Sequence, residues 1–248
     1  MSLAQQKPLF LLLLGVEGSG HHMLMSFLRH FFESKKVIQH GDWHPFQFNY
    51  WDALASIKKK ATVDRSDMVV FRNEIREVMK KYDSTKVLYS GVSFPYGVER
   101  DSLRRPDIVD MVEMLGDYVE FRPLIIFRDP ISCAYSAVRR GFNSNVLHQA
   151  RIVEDNLIYI KQQIQACQLQ YKTIGFEKFV DSPNIYENSF KSWWNIDNES
   201  YQQGLKEIKS STAKKDIPKD LLLILEQFFS ETRCRQWDQF LSSQHLKV

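Results

Sequence analysis

Residues 9–22 of the chain read LFLLLLGVEGSGHH, and this stretch decides the fold. It opens with a continuous apolar run, which is typical of a parallel β-strand that is covered on both faces. Gly15, Gly18 and Gly20 follow, and glycine lets a backbone turn sharply and approach a ligand closely. Residues 20–33 then carry apolar side chains at helical spacing. The stretch therefore predicts a strand over residues 10–16, a glycine-rich turn and a helix in direct succession.

The rest of the chain alternates between predicted strands and predicted helices. Further strands are expected at residues 37–39, 86–90, 123–127 and 172–175. Helices are expected at residues 50–60, 73–82, 107–115, 146–168 and 219–229, and another begins near Pro130. Parallel strands joined by helices predict an α/β fold, a three-layer sandwich with a central parallel sheet of the P-loop NTPase-like type. No repeat or linker divides the sequence, so we expect one domain over residues 1–248, with residues 1–8 as a disordered tail or a cloning remnant.

Composition excludes several classes of protein. The net charge of +3 comes without a dense basic stripe, which argues against nucleic acid as a partner. The apolar run at residues 8–14 is far shorter than the ~20 residues of a membrane span. We interpret it as a strand rather than a signal segment and expect a cytoplasmic protein, although a lost anchor or signal stays open. The three cysteines are odd in number and include no C-x-x-C pair, so neither a disulfide framework nor a thiolate zinc site is expected.

The glycine-rich turn is a candidate anion site. Successive backbone N–H groups and the positive end of the following helix favour bound anions. Ser19 adds a hydroxyl donor, and His21 and His22 add imidazole N–H donors. The nucleotide-triphosphatase motif ends in Lys and Ser/Thr, but His21 and His22 occupy these two positions. The hydroxyl that would hold Mg²⁺ at the second of them is therefore missing. This difference argues against an ATPase or a conventional kinase.

A second candidate anion site follows the strand at residues 123–127. Arg128 stands at the carboxyl end of that strand, where its planar fork can meet a phosphate. Ser136 lies about two turns into the next helix, and Arg139 and Arg140 add positive charge one turn later. A purely structural pair between Arg128 and Asp129 is the alternative. Since parallel strands end at the same edge of a sheet, this site and the glycine turn are expected to be neighbours.

These two segments resemble PAPS-dependent sulfotransferases, where PAPS is 3′-phosphoadenosine-5′-phosphosulfate. The spacing of eight from Arg128 to Ser136 is that of the family's 3′-phosphate segment. Residues 15–20 resemble its 5′-phosphosulfate loop, and residues 171–183, YKTIGFEKFVDSP, resemble its later strand and turn. Residues 210–215, SSTAKK, resemble its basic loop over the 3′-phosphate.

The resemblance implies a sulfotransferase that moves a sulfuryl group from PAPS to an acceptor hydroxyl in line, without a metal, and releases adenosine-3′,5′-bisphosphate. A general base would take the proton of the acceptor. The donor-binding residues that the resemblance implies are Gly18, Ser19, Gly20, His21, His22, Arg128, Ser136, Lys214 and Lys215.

The sequence also departs from the family pattern. Gly18 stands where the family has a Lys or Arg that contacts the bridging oxygen, and His21 and His22 are the nearest substitutes. Residues 92–95, VSFP, lack the His base that cytosolic members carry after the second strand. We therefore nominate Asp42 or His44 as the base, and His22 as a further catalytic candidate.

Two alternative functions stay open at this point. One is a P-loop nucleotide kinase, and the other is a non-catalytic protein that binds a nucleotide or another anion on the same fold. The acceptor of a sulfotransferase would be a small molecule or a carbohydrate, and the glycine-loop likeness favours carbohydrate. The oligomeric state is not predicted.

Overall fold

A computed structural model of the chain describes residues 7–39, 65–94, 107–208, 217–230 and 236–237. Five strands form its sheet: β1 (Leu9–Val16), β2 (Ile38–Gln39), β3 (Val87–Phe94), β4 (Glu120–Phe127) and β5 (Lys172–Gly175). The first helices in chain order are α1 (His21–Ser34), α2 (Arg65–Met79), α3 (Ile108–Leu115), α4 (Pro130–Arg139) and α5 (Val146–Cys167). They are followed by α6 (Phe176–Asp181), α7 (Glu187–Trp194), α8 (Asn198–Leu205) and α9 (Lys219–Phe228), with a 3₁₀ turn at Pro183–Tyr186 between α6 and α7.

The sheet is entirely parallel, and its strand order is β2-β3-β1-β4-β5. Strand β1 is central, with β3 on one side and β4 on the other. The register sets Gly15 beside Ser93 in β3, and Leu14 beside Ile125 in β4. The turn after β1 therefore opens at the middle of the carboxyl edge, where parallel sheets bind ligands.

Helices cover both faces of the sheet. Successive side chains of a strand point to opposite faces. Leu12 and Leu14 accordingly pack in a core with side chains of α2, α3 and α5, while Leu11 and Leu13 pack in a second core with those of α1, α6, α7 and α8. All four leucines are fully buried. The predicted three-layer α/β sandwich of the P-loop NTPase-like type is confirmed.

Several predicted boundaries were wrong, including the start of β4, which is at Glu120 instead of Pro123. Helix α2 begins at Arg65, eight residues before the predicted start at Asn73, and ends at Met79 instead of Tyr82. Strand β3 continues to Phe94 instead of ending at Ser90. Its extra residues pair with Leu13–Val16 of β1, and this pairing holds them in the sheet. The predicted helix at residues 50–60 lies outside the described residues.

Candidate anion-binding site

The glycine turn adopts a backbone that requires glycine at two positions. Gly18 has a φ of 89° and Gly20 a φ of 104°, a region that L-residues with a side chain rarely adopt. A β-carbon on Gly18 would lie 2.8 Å from the carbonyl oxygen of Cys133, in the first turn of α4. One on Gly20 would lie 2.2 Å from the ring of Phe176, the first residue of α6. The turn is thus clamped between α4 and Phe176, with Gly20 as the N-cap of α1.

The side chains of Ser19 and His21 contact each other and pack against the start of this turn. Ser19 is fully buried, its N–H donates to the Val16 carbonyl at 3.0 Å, and its Oγ lies 3.1 Å from Nδ1 of His21. Both side chains lie against Gly15, where a β-carbon would meet Ser19 Oγ at 2.6 Å and His21 Cε1 at 2.7 Å. His22, by contrast, is exposed. Ser19 and His21 therefore interact with each other within the turn, whereas His22, the third predicted side-chain donor, faces solvent.

The guanidinium of Arg128 points toward the glycine turn. Its Nη1 donates to the Gly18 carbonyl at 3.1 Å, and its Cζ lies 4.7 Å from the centre of the Phe176 ring. Its Nε is 3.6 Å from Oε1 of Glu177. Burial raises the pKa of the Glu177 carboxyl above its ordinary value, and the charge of Arg128 acts in the opposite direction. The second predicted anion site is thus a direct neighbour of the first.

The structural alternative required Asp129 to pair with Arg128, but the Asp129 carboxylate binds Ser132. Its carboxylate accepts from the N–H of Ser132 at 2.9 Å and from Ser132 Oγ at 2.7 Å, so it caps the N-terminus of α4. Pro130 occupies the first helical turn, as predicted. Arg128 is therefore not paired with Asp129. Ser136 is half-buried on α4, four residues before Arg140 and on the same helix face.

A carboxylate within the turn forms a cluster that the sequence analysis did not identify. Oε1 of Glu17 lies 2.7 Å from Nη1 of Arg140, and Oε2 accepts from Ser93 Oγ at 3.1 Å. The Glu17 side chain is 16% exposed and that of Arg140 is 36% exposed. The sequence did contain one signal for this cluster. Glu17 is an acidic residue in a turn that is expected to bind anions, so a compensating cation is expected nearby.

A cleft of about 370 Å³ lies along one side of α1. Its polar lining comes from His22, Ser26, Arg29 and Glu33, which recur at helical spacing, and from Gln39 of β2. Because His22 lies in the first turn of α1, the cleft begins beside the glycine turn. This arrangement gives the site an adjoining polar surface.

Several predicted residues lie outside the described part of the chain: Asp42, His44, Lys214 and Lys215.

Cys133 and Cys167 are free thiols, and burial raises the pKa of both, to about 11 for Cys167. In the described ranges, no group of three or more His, Cys, Asp or Glu side chains is arranged to hold a metal ion. None of the helices within those ranges combines the length and apolarity that a membrane crossing requires.

Comparisons with known proteins give structural likenesses only. No protein-family model and no curated protein matches the chain. A structure from the PezAT chromosomal toxin–antitoxin system of Streptococcus pneumoniae is similar at 12% identity and a TM-score of 0.31, over 96% of this chain and 91% of that one. The chain is also similar, at 13% identity and a TM-score of 0.48 over 98% of both chains, to the sulfotransferase domain of the olefin synthase of Synechococcus PCC 7002.

Proposed function

We propose that this chain is a PAPS-dependent sulfotransferase. The observation that carries the proposal is the contact of Arg128 Nη1 with the Gly18 carbonyl, because it joins the two candidate anion sites in one place. A donor with phosphate groups on both the 3′ and the 5′ oxygen of one ribose fits such a pair of sites. A ligand with a single phosphate would need only one of them.

The residues present fit this donor in two respects. Glycine at positions 18 and 20 lets the turn take its positive φ angles against Cys133 and Phe176, and the turn leads into the N-terminus of α1, which favours an anion such as a phosphosulfate. Nε of Arg128 pairs with Glu177 at 3.6 Å, beyond hydrogen-bond distance, so within the described part of the chain the hydrogen-bonding capacity of the guanidinium is not fully used. A 3′-phosphate at this position would complete the planar fork of the guanidinium.

Each residue would have a distinct role in the reaction. The N–H groups of the glycine turn and the N-terminus of α1 would hold the 5′-phosphosulfate, and Arg128 and Ser136 would hold the 3′-phosphate, joined by Lys214 and Lys215. PAPS supplies the sulfuryl group: its sulfur–oxygen bond to the 5′-phosphate breaks as the acceptor oxygen bonds to sulfur. The donors around the turn would stabilise the charge that develops on the leaving phosphate. Asp42 and His44 remain the proposed bases for the acceptor proton, and His22 a proposed source of positive charge.

The cleft along α1 is the proposed acceptor site, since it begins at His22 beside the turn. Its Ser, Arg, Glu and Gln side chains offer both donors and acceptors of hydrogen bonds. Met25 and Phe32 also line the cleft, so its surface can contact both the hydroxyl groups and the apolar face of an acceptor such as a carbohydrate.

Thermal unfolding with nucleotides tests the donor. Adenosine-3′,5′-bisphosphate should raise the melting temperature more than AMP or ADP at equal concentration, because only it reaches both anion sites. Sulfuryl transfer should persist in EDTA, whereas a nucleotide kinase needs a divalent cation for its activity. Equal shifts for all three nucleotides would contradict the proposal.

A further inference from the structure

Glu17 presents an electrostatic problem for any anion that binds the glycine turn. It lies in the turn, directly before Gly18, and its side chain is 16% exposed, so water screens its charge only in part. Like charges at short range repel each other, and the repulsion is stronger where water is partly excluded. A turn with an uncompensated glutamate would therefore bind anions poorly.

Both oxygens of Glu17 are engaged by residues from other elements. Nη1 of Arg140 reaches Oε1 from the C-terminal end of α4, and Ser93 Oγ donates to Oε2 from the end of β3. The guanidinium of Arg140 also stacks on Phe142, 4.6 Å from the ring centre, which limits its freedom to leave the carboxylate. Arg139, the preceding residue, is exposed.

We propose that Arg140 is a positioning residue that neutralises Glu17 and thereby makes the glycine turn competent to bind phosphate-class anions. Arg140 acts through Glu17 rather than by touching the ligand, and Ser93 fixes the carboxylate on the β3 side. This role rests on the proposed function for the identity of the donor. The pair removes a repulsion from the turn, and attraction for the anion is left to the backbone N–H groups and the N-terminus of α1.

A double-mutant cycle tests this role. Calorimetry would measure the affinity of adenosine-3′,5′-bisphosphate and of pyrophosphate for the wild type, Arg140→Ala, Glu17→Gln and the double variant. Arg140→Ala should weaken both ligands by roughly five- to tenfold, since it leaves a partly exposed carboxylate uncompensated. Glu17→Gln should bind both ligands at least as tightly as the wild type. In the Glu17→Gln background, Arg140→Ala should have little further effect.

Controls separate this role from general charge and from folding. Arg151→Ala removes the same charge from an exposed position on α5 and should change both affinities less than twofold, while Arg140→Lys, which keeps the charge, should keep most of the binding. Circular dichroism and the melting temperature confirm that each variant folds. An equal loss on Arg140→Ala with and without Glu17 would overturn the proposal, as would no loss at all.

The two ligands also distinguish this inference from the proposed function. If pyrophosphate follows the expected cycle but adenosine-3′,5′-bisphosphate binds no better than AMP, the donor is wrong and the role of Arg140 stands. A wild type that binds neither ligand would overturn both.

Discussion

Arg128 is the single residue on which donor binding should depend most. Replacing it with alanine removes a charged fork, and a hydrogen bond to a charged group is worth ~1.5–3 kcal/mol. The affinity for adenosine-3′,5′-bisphosphate should therefore fall roughly tenfold or more. Calorimetry would measure the change. Arg122→Ala is the matched control, because that arginine stacks on Trp193, 4.8 Å from its ring centre, near the opposite end of β4.

An unchanged affinity in Arg128→Ala would remove Arg128 from the donor site. A loss of similar size in both arginine variants would instead point to a general effect of charge.

Single residues also show how far the site could be predicted. The sequence predicts that Arg128 and the glycine turn are neighbours, because both follow strands of one parallel sheet. The ion pair of Glu17 with Arg140 could not be predicted in this way. It depends on which face of α4 turns toward the turn, and no local pattern specifies that rotation. Ser93 was missed because β3 was expected to end at Ser90, three residues too early.

At the scale of elements, the start of α8 depends on pH through its cap. The carboxylate of Asp197 accepts from the N–H of Ser200 at 2.8 Å, and this hydrogen bond holds the pKa of Asp197 below its ordinary value. The stabilisation that the ionised Asp197 carboxylate gives to the fold is therefore complete above the unfolded-state pKa of about 3.9. It is lost as the pH falls through the pKa of Asp197 in the folded protein. Asp197→Ala should cost about 1 kcal/mol at pH 7, measured by urea unfolding, and this cost should shrink near pH 3.

Two further variants serve as controls for the cap. Asp197→Asn keeps a capping oxygen that does not titrate, so its stability relative to alanine should persist at low pH. Asp155→Ala removes an exposed charge from α5 and should change stability little at either pH. A cost of Asp197→Ala that is the same at pH 7 and pH 3 would contradict the expected role of the carboxylate.

Elements differed in how well their ends could be predicted. Strand β1 and helix α5 were predicted to within one residue, because their apolar patterns run almost to their ends. Helix α2 was predicted to begin eight residues late. In its first turns, Val69 and Val70 are 56% and 51% exposed, so the apolar residues there do not mark a buried face. Periodicity detects burial, and it fails where a helix projects into solvent.

For the whole molecule, the cores on both sides of the sheet should contribute to stability. Leu12 and Leu13 are adjacent in β1, fully buried, and packed in opposite cores. Leu12→Ala and Leu13→Ala should each lower the free energy of unfolding by ~2–5 kcal/mol, since each leaves a cavity. Urea unfolding would measure both, with Val70→Ala, at an exposed position, as a control that should cost less than ~0.5 kcal/mol. A nearly neutral effect of either leucine variant would show that its core is not tightly packed.

The clamped glycine turn has a consequence for the speed of binding. With Cys133 on one side and Phe176 on the other, the turn has little room to rearrange, so we expect it to keep its shape if an anion binds. Little ordering is then required on association, so the association rate should be set by diffusion and long-range attraction. Differences in affinity between related ligands would appear mainly as differences in their residence times.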